Sequence, residues 1–172
     1  VSLKLLDNYL QLGFDWLWIP GLVFAGLGAV YTAFLFNQAR ARDLWQTPIQ
    51  SAIHMLVHAI MAGSVVMMII APESSQWMAS ILLWGIVANV VIMAKEILLF
   101  HDTPDTKKAI HLMTKGYYSK YFWAGIVMGS LIPLVVLNAF PSMSLIAGGL
   151  VLVGIFLTEF VRIRVPQMIP LS

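Results

Sequence analysis

"YFWAGIVMGSLIPLVVLNAFPSMSLIAGGLVLVGIFLT", residues 121–158, contains no Asp, Glu, Lys or Arg over 38 positions. As one helix rising about 1.5 Å per residue it would reach about 57 Å, nearly twice the roughly 30 Å hydrocarbon core of a bilayer. It must therefore fold back on itself, and Asn138-Ala-Phe-Pro-Ser142 is the natural break. Three further charge-free windows, Trp16–Ala39, Leu44–Pro72 and Ser74–Ala94, each supply the ~20 residues that one crossing needs.

These windows predict an all-α, polytopic transmembrane helical bundle of about five helices, near 14–38, 48–71, 76–100, 118–138 and 142–163. Together they make residues 1–172 a single bundle. Composition agrees, with 60% hydrophobic residues, 10% charged and a mean hydropathy of +0.86, where a soluble domain carries about a quarter charged. The apolar runs are continuous and lack the alternation of an outer-membrane barrel strand. The absence of cysteine excludes thiolate metal sites and disulfides within the chain. The opening "VSLKLLDNYLQLGFDWLW" (1–18) reads as an amphipathic lead-in without the layout of a signal peptide. It begins without Met, and more protein is expected ahead of it.

Orientation follows from the basic residues, which short cytoplasmic loops retain. With alternating helices, Arg40, Arg42, Lys107, Lys108, Lys115, Lys120, Arg162 and Arg164 fall on one side, while "APESSQW" (71–77) and "NAFPS" (138–142) carry none. Lys4 dissents and Lys95 lies inside the third span. The expected topology has the N-terminus outside and the C-terminus cytoplasmic. The polar stretch "FHDTPDTKKAIHLMTKGYYSKYFW" (100–123) then reads as a solvated cytoplasmic connection followed by an interfacial belt of Tyr117, Tyr118, Tyr121, Phe122 and Trp123. Since topology accounts for the basic residues, the net charge of +2 gives no reason to expect nucleic acid.

Ionisable groups inside a bilayer cost roughly 2.5–3.5 kcal/mol each on insertion scales and mark candidate function. His54 and His58 share a helix face, as do Asn89 and Glu96 on the next span. Lys95 adjoins Glu96, and Glu159 stands one turn before Arg162 near the end of the last span. His54 and Glu96 both lie roughly 8–9 Å from the same membrane face, with His58 and Asn89 deeper. Histidine and a desolvated carboxylate can both exchange protons near neutrality. His54, His58, Asn89, Glu96, Lys95 and Glu159 are therefore the candidate cytoplasmic proton path. The plainer alternatives are that Lys95 and Glu96 snorkel to the surface, Glu159 pairs with Arg162, and the histidines bond a neighbouring helix. A bis-histidine haem needs ligands on opposite sides of the porphyrin, so no haem or metal is expected in this chain. Gly26 and Gly28, Gly63-Ser64 and Gly148-Gly149 are expected at close helix contacts, and Pro133 is expected to kink the fourth span.

"YTAFLFNQARARDLWQTPIQSAIHMLVHAIMAGS" (31–64) resembles the helix, short basic loop, W-x-x-P and small-residue helix start of the NrfD/PsrC family of quinone-interacting membrane subunits. "TEFVRIRVPQMIPLS" (158–172) resembles that family's ending. "HDTPDTKKAIHLMTKGYYSKYFWAGIVMGSLIPLVV" (101–136) looks most like the corresponding stretch in the ActC subunit of alternative complex III. The resemblance implies a bacterial inner-membrane anchor that works with an iron–sulfur or molybdopterin-type peripheral subunit. A multihaem cytochrome c and a second NrfD-like subunit are further partners it suggests. It also implies quinol chemistry. Family members have eight to ten helices in two bundles, so these five correspond to the later bundle, and the quinone is expected mainly outside this segment. The chain is expected to be non-catalytic alone. The competing readings are a purely structural anchor for peripheral redox subunits and a secondary transporter, the latter disfavoured by the lack of an inverted repeat.

Overall fold

The computed structural model describes residues 18–37, 48–99 and 104–168. They form six helices, α1 (Trp18–Asn37), α2 (Pro48–Ile70), α3 (Ser75–Leu99), α4 (Pro104–Thr114), α5 (Ser119–Ala139) and α6 (Ser144–Gln167). No strand occurs among the described residues. Four of the helices, α2, α3, α5 and α6, are long and apolar enough to cross a membrane, and α1 adds the shorter apolar stretch Ile19–Tyr31. Proline starts several elements. Pro48 and Pro104 open α2 and α4, and Pro72 and Pro141 open the short 3₁₀ turns Pro72–Ser74 and Pro141–Met143 that reverse the chain. A first-turn N–H has no helical partner, so proline costs little there.

A cavity of about 660 Å³ is lined by Pro72, Glu73 and Gln76 from one reversal and by Pro141 and Ser144 from the other. Both reversals therefore lie at the same end of the bundle. The opposite end carries Lys107, Lys108, Lys115, Lys120 and Arg164. An apolar cluster fills the half of the bundle near the reversals, built from Met61, Val65 and Met68 of α2, Leu82 and Ile86 of α3, Leu137 of α5, and Ala147 and Val151 of α6. A second cluster closes the basic end with Met93, Ala109, Met113, Phe122, Val161 and Val165.

Three expectations need correcting. The stretch after residue 103 is not a bare solvated connection, because α4 turns Ala109 and Met113 into the second cluster. That gives the stretch an apolar face to bury. Phe122 is buried in the same cluster and does not belong to an interfacial belt, although Tyr117, Tyr121 and Trp123 are exposed. The glycine contacts also lie elsewhere. Gly26, Gly28, Gly63 and Gly149 face open space, and of the expected positions Gly148 meets a neighbour, Val65. The tight crossing is between α5 and α6, where a Cβ on Gly154 would lie 2.1 Å from the Gly129 Cα and one on Gly125 would lie 2.8 Å from Thr158.

Gly129 sits in a π-helical turn, Val127–Leu131, where the Ile132 N–H donates to the Val127 carbonyl. The wide turn comes just before Pro133, whose ring would otherwise press on the carbonyl four residues back. Gly154→Ala should therefore destabilise the protein by about 1–3 kcal/mol, the usual range for overpacking, while Gly149→Ala, with open space for the methyl, should stabilise it by up to about 1 kcal/mol. Thermal unfolding of the two variants in detergent checks this, and equal midpoints would mean that the α5–α6 crossing is not close-packed.

Candidate functional site

The buried positions of α2 are Ser51, His54, His58, Met61, Ser64, Val65 and Met68. Most follow one another by three or four residues, the seam of a helix packed against near-antiparallel neighbours. The seam changes character along its length, with Ser51, His54 and His58 toward the basic end and Met61, Val65 and Met68 beyond them. On α3 the change runs in step, from Leu82 and Ile86 to Asn89, with Glu96 two turns further on. α6 presents small residues inward at Ser144, Ala147, Gly148, Val151, Gly154 and Thr158, and the same face continues to Val161, Arg162 and Val165.

Arg162 is the centre of the polar half. Its side chain is 0% exposed, and it joins three helices. Nη2 donates to Glu96 Oε1 on α3 at 2.6 Å. Nη1 donates to Glu159 Oε1 on its own helix at 3.4 Å. Nη1 also meets His54 Nδ1 on α2 and lies 3.1 Å from the same ring's Nε2. His54 Nε2 is 3.0 Å from His58 Nε2, which is in turn 3.0 Å from Asn89 Oδ1. His58 Nδ1 lies 3.3 Å from Glu159 Oε1, close enough for electrostatic attraction but out of line for a hydrogen bond.

Arginine has only donors, so His54 Nδ1 must accept, and a neutral His54 then carries its proton on Nε2. That N–H donates to His58 Nε2, which leaves the His58 proton on Nδ1, facing Glu159. The single lone pair of His58 Nε2 is then shared between the His54 N–H and an Asn89 NH₂ turned toward it, an orientation assigned from the network because the two ends of an amide have the same shape. One cation faces two carboxylates, so a single proton added to an imidazole or carboxylate makes the cluster neutral. Neutrality is what a low-dielectric interior favours.

Of the residues singled out in the sequence, His54, His58, Asn89, Glu96 and Glu159 come together. Lys95 is exposed. His54 and Glu96 do not meet directly as expected, since Arg162 bonds both. Arg162, expected at the end of the last span among the basic residues of the cytoplasmic side and as a partner of Glu159, does pair with Glu159 and lies at the most buried point of the site. The available signal was the small-residue face of α6, which continues through Thr158 to Arg162. His54, His58 and Glu159 place one donor atom each within 4.8 Å of one another, a spacing that could hold a metal ion. Two imidazoles and a carboxylate are an ordinary zinc donor set, but Arg162 Nη1 lies against both His54 and Glu159, so a metal bound there would have to displace the guanidinium.

Removing one member of a buried charge pair leaves the other uncompensated and costs about 3–5 kcal/mol. Arg162→Leu should lower stability by that amount, and the double variant Arg162→Leu/Glu96→Leu should recover part of the loss. Unfolding midpoints of the two single variants and the double would check this, and strict additivity of the losses would show that the two side chains do not interact.

No curated protein and no solved structure matches the chain. The family model described as polysulphide reductase, NrfD, matches residues 4–170, a span that contains every helix described above and all members of the buried network. On that match the chain belongs to the NrfD family of integral membrane proteins.

Proposed function

We propose that the chain is a membrane subunit of a respiratory quinol-oxidising complex in the bacterial cytoplasmic membrane, and that its buried network is a proton half-channel opening toward the cytoplasm. One observation carries this reading. Two partly exposed carboxylates, Glu96 and Glu159, flank Arg162, and from Glu159 the polar contacts lead through His58 to His54 and Asn89 without passing through the guanidinium and stop against the apolar cluster of Met61, Leu82, Ile86 and Val151. A path that reaches the middle of the bundle and ends there can load a proton from one side only.

Quinol oxidation releases two electrons and two protons. In this reading the electrons pass to an iron–sulfur or molybdopterin-like peripheral subunit, with a multihaem cytochrome c or a second NrfD-like subunit as further partners. The crevice beside Glu96 has room for about one water and cannot admit a quinone ring; in this reading, which follows the family resemblance, the quinone binds mainly outside this segment. The residues here handle protons. Glu96 and Glu159 exchange them, His58 and His54 hold the mobile proton, and Asn89 fixes the deepest imidazole. Arg162 does not release protons at physiological pH, so it holds the two carboxylates and His54 in place without relaying.

The basic end of the bundle supports the orientation, because retained Lys and Arg mark the cytoplasmic side. With no native cysteine, single cysteines at Gln76 and Lys107 should label from opposite faces of intact cells, Gln76 from outside. Labelling of both from one face would overturn the topology. Glu96→Gln keeps the shape of the side chain and an acceptor for Arg162. In vesicles containing the assembled complex it should leave quinol oxidation near the wild-type rate and lower proton uptake from the cytoplasmic side at least about tenfold, a conservative floor under the roughly 10²–10⁴-fold that a positioned proton-transferring group contributes. Unchanged uptake would reduce the bundle to a structural anchor.

A further inference from the structure

The polar network lies between two apolar clusters. Toward the middle of the bundle lies the cluster around Met61 and Leu82, and toward the basic end lies the cluster of Met93, Ala109, Met113, Phe122, Val161 and Val165. Within the network the exposure is unequal. Arg162 and His54 are sealed at 0% and 1%, whereas Glu96 and Glu159 keep 18% and 17%. Whatever exchanges protons with the network meets a carboxylate first.

A narrow crevice runs through the second cluster to Glu96, between α3, α4 and α5. Met93, Ile97, Ile110, Met113 and Phe122 form its apolar walls, and Glu96 and Thr114 are its polar members. Its interior of about 10 Å³ is close to the space one water needs, and a buried water also needs two or more polar partners. Both are present. The hydrogen bond from Arg162 uses Oε1 of Glu96, so the carboxylate can accept another at Oε2. The Thr114 hydroxyl donates to the Ile110 carbonyl at 2.8 Å and keeps its acceptor capacity. The Thr114 carbonyl is held in turn by the Trp123 indole N–H at 3.0 Å, which ties the end of α4 to α5 and fixes the hydroxyl over the crevice.

We infer that this crevice is a water site, bridging the Glu96 carboxylate and the Thr114 hydroxyl, and that it is the aqueous inlet of the buried network. The inlet role rests on the proton-path reading above, whereas the water site stands independently of it. α4 is then more than a connection, because it carries one wall of the inlet and one of the two groups that hold the water.

Radiolytic hydroxyl-radical labelling of the intact complex tests the water site, since a bound water generates radicals in place and methionine reacts readily. Met93 and Met113 are each 5% exposed and Met68 in the dry cluster is 4% exposed, so surface exposure alone predicts equal rates. A bridging water predicts that Met93 and Met113 oxidise at least about threefold faster than Met68. Thr114→Val, which keeps the shape and removes the acceptor, should bring their rates down to that of Met68 and slow proton uptake severalfold, while Thr114→Ser behaves as wild type. Equal labelling of Met93, Met113 and Met68 in the wild type overturns the water site. Labelling lost in Thr114→Val with normal proton uptake overturns the inlet role. Fast labelling of Met93 and Met113 together with normal uptake in Glu96→Gln supports the water site and overturns the proton-path reading instead.

Discussion

A guanidinium with no exposed surface sets the conditions for the rest of this bundle. Arg162 cannot shed its charge and has no exposed surface, so the protein must surround it with acceptors. Glu96, Glu159 and His54 answer that demand from three directions. Because these partners come from α3, α6 and α2, the charge also fixes the register of those helices. Dispersion packing between apolar helices in lipid leaves register loosely specified, since sliding one Leu-rich surface over another changes little. A three-way salt link does not slide. It supplies specificity even if, as is common for buried ion pairs, its net contribution to stability is small.

The link divides the bundle into two kinds of interior. On the reversal side of Asn89 the helices meet through methionine, leucine, isoleucine, valine and alanine, and on the other the imidazole, amide, carboxylate and guanidinium groups sit beside a second apolar cluster. The close α5–α6 crossing at Gly129 and Gly154 brings α6 near enough to the rest of the bundle for its inward face to reach the histidines. The π turn and the small residues thus bear on the site indirectly. They set the distance at which Arg162 can span from α6 to α2 and α3.

α4 completes the enclosure. A segment rich in charge and adjacent to a membrane face has little reason to fold alone, but Ala109 and Met113 give it an apolar edge that fits between Met93, Phe122, Val161 and Val165. Its lysines stay in water while that edge covers the network, the division of labour expected of an interfacial amphipathic helix. The charged group nearest this cover is Glu96, so changes in how α4 seats bear first on the one carboxylate that touches both the crevice and the arginine.

Sequence alone determined the all-helical membrane class, since four long apolar charge-free windows leave a chain no soluble alternative. It also marked the reversals at Pro72 and Pro141 and the polar residues His54, His58, Asn89, Glu96 and Glu159, because hydrocarbon makes every such group conspicuous. The tertiary structure decided which face of each helix looks inward. The lipid-facing sides, with Phe24, Ile53, Trp84 and Phe156 exposed, are as apolar as the buried ones, so hydrophobic periodicity carries almost no signal in α3 or α6. That loss of signal left Arg162 at the end of its span among the topology-setting basic residues, placed the glycine contacts wrongly, and left α4 unread. Each depended on partners supplied by other helices, and a bilayer erases the contrast between inside and outside by which a soluble helix declares its partners.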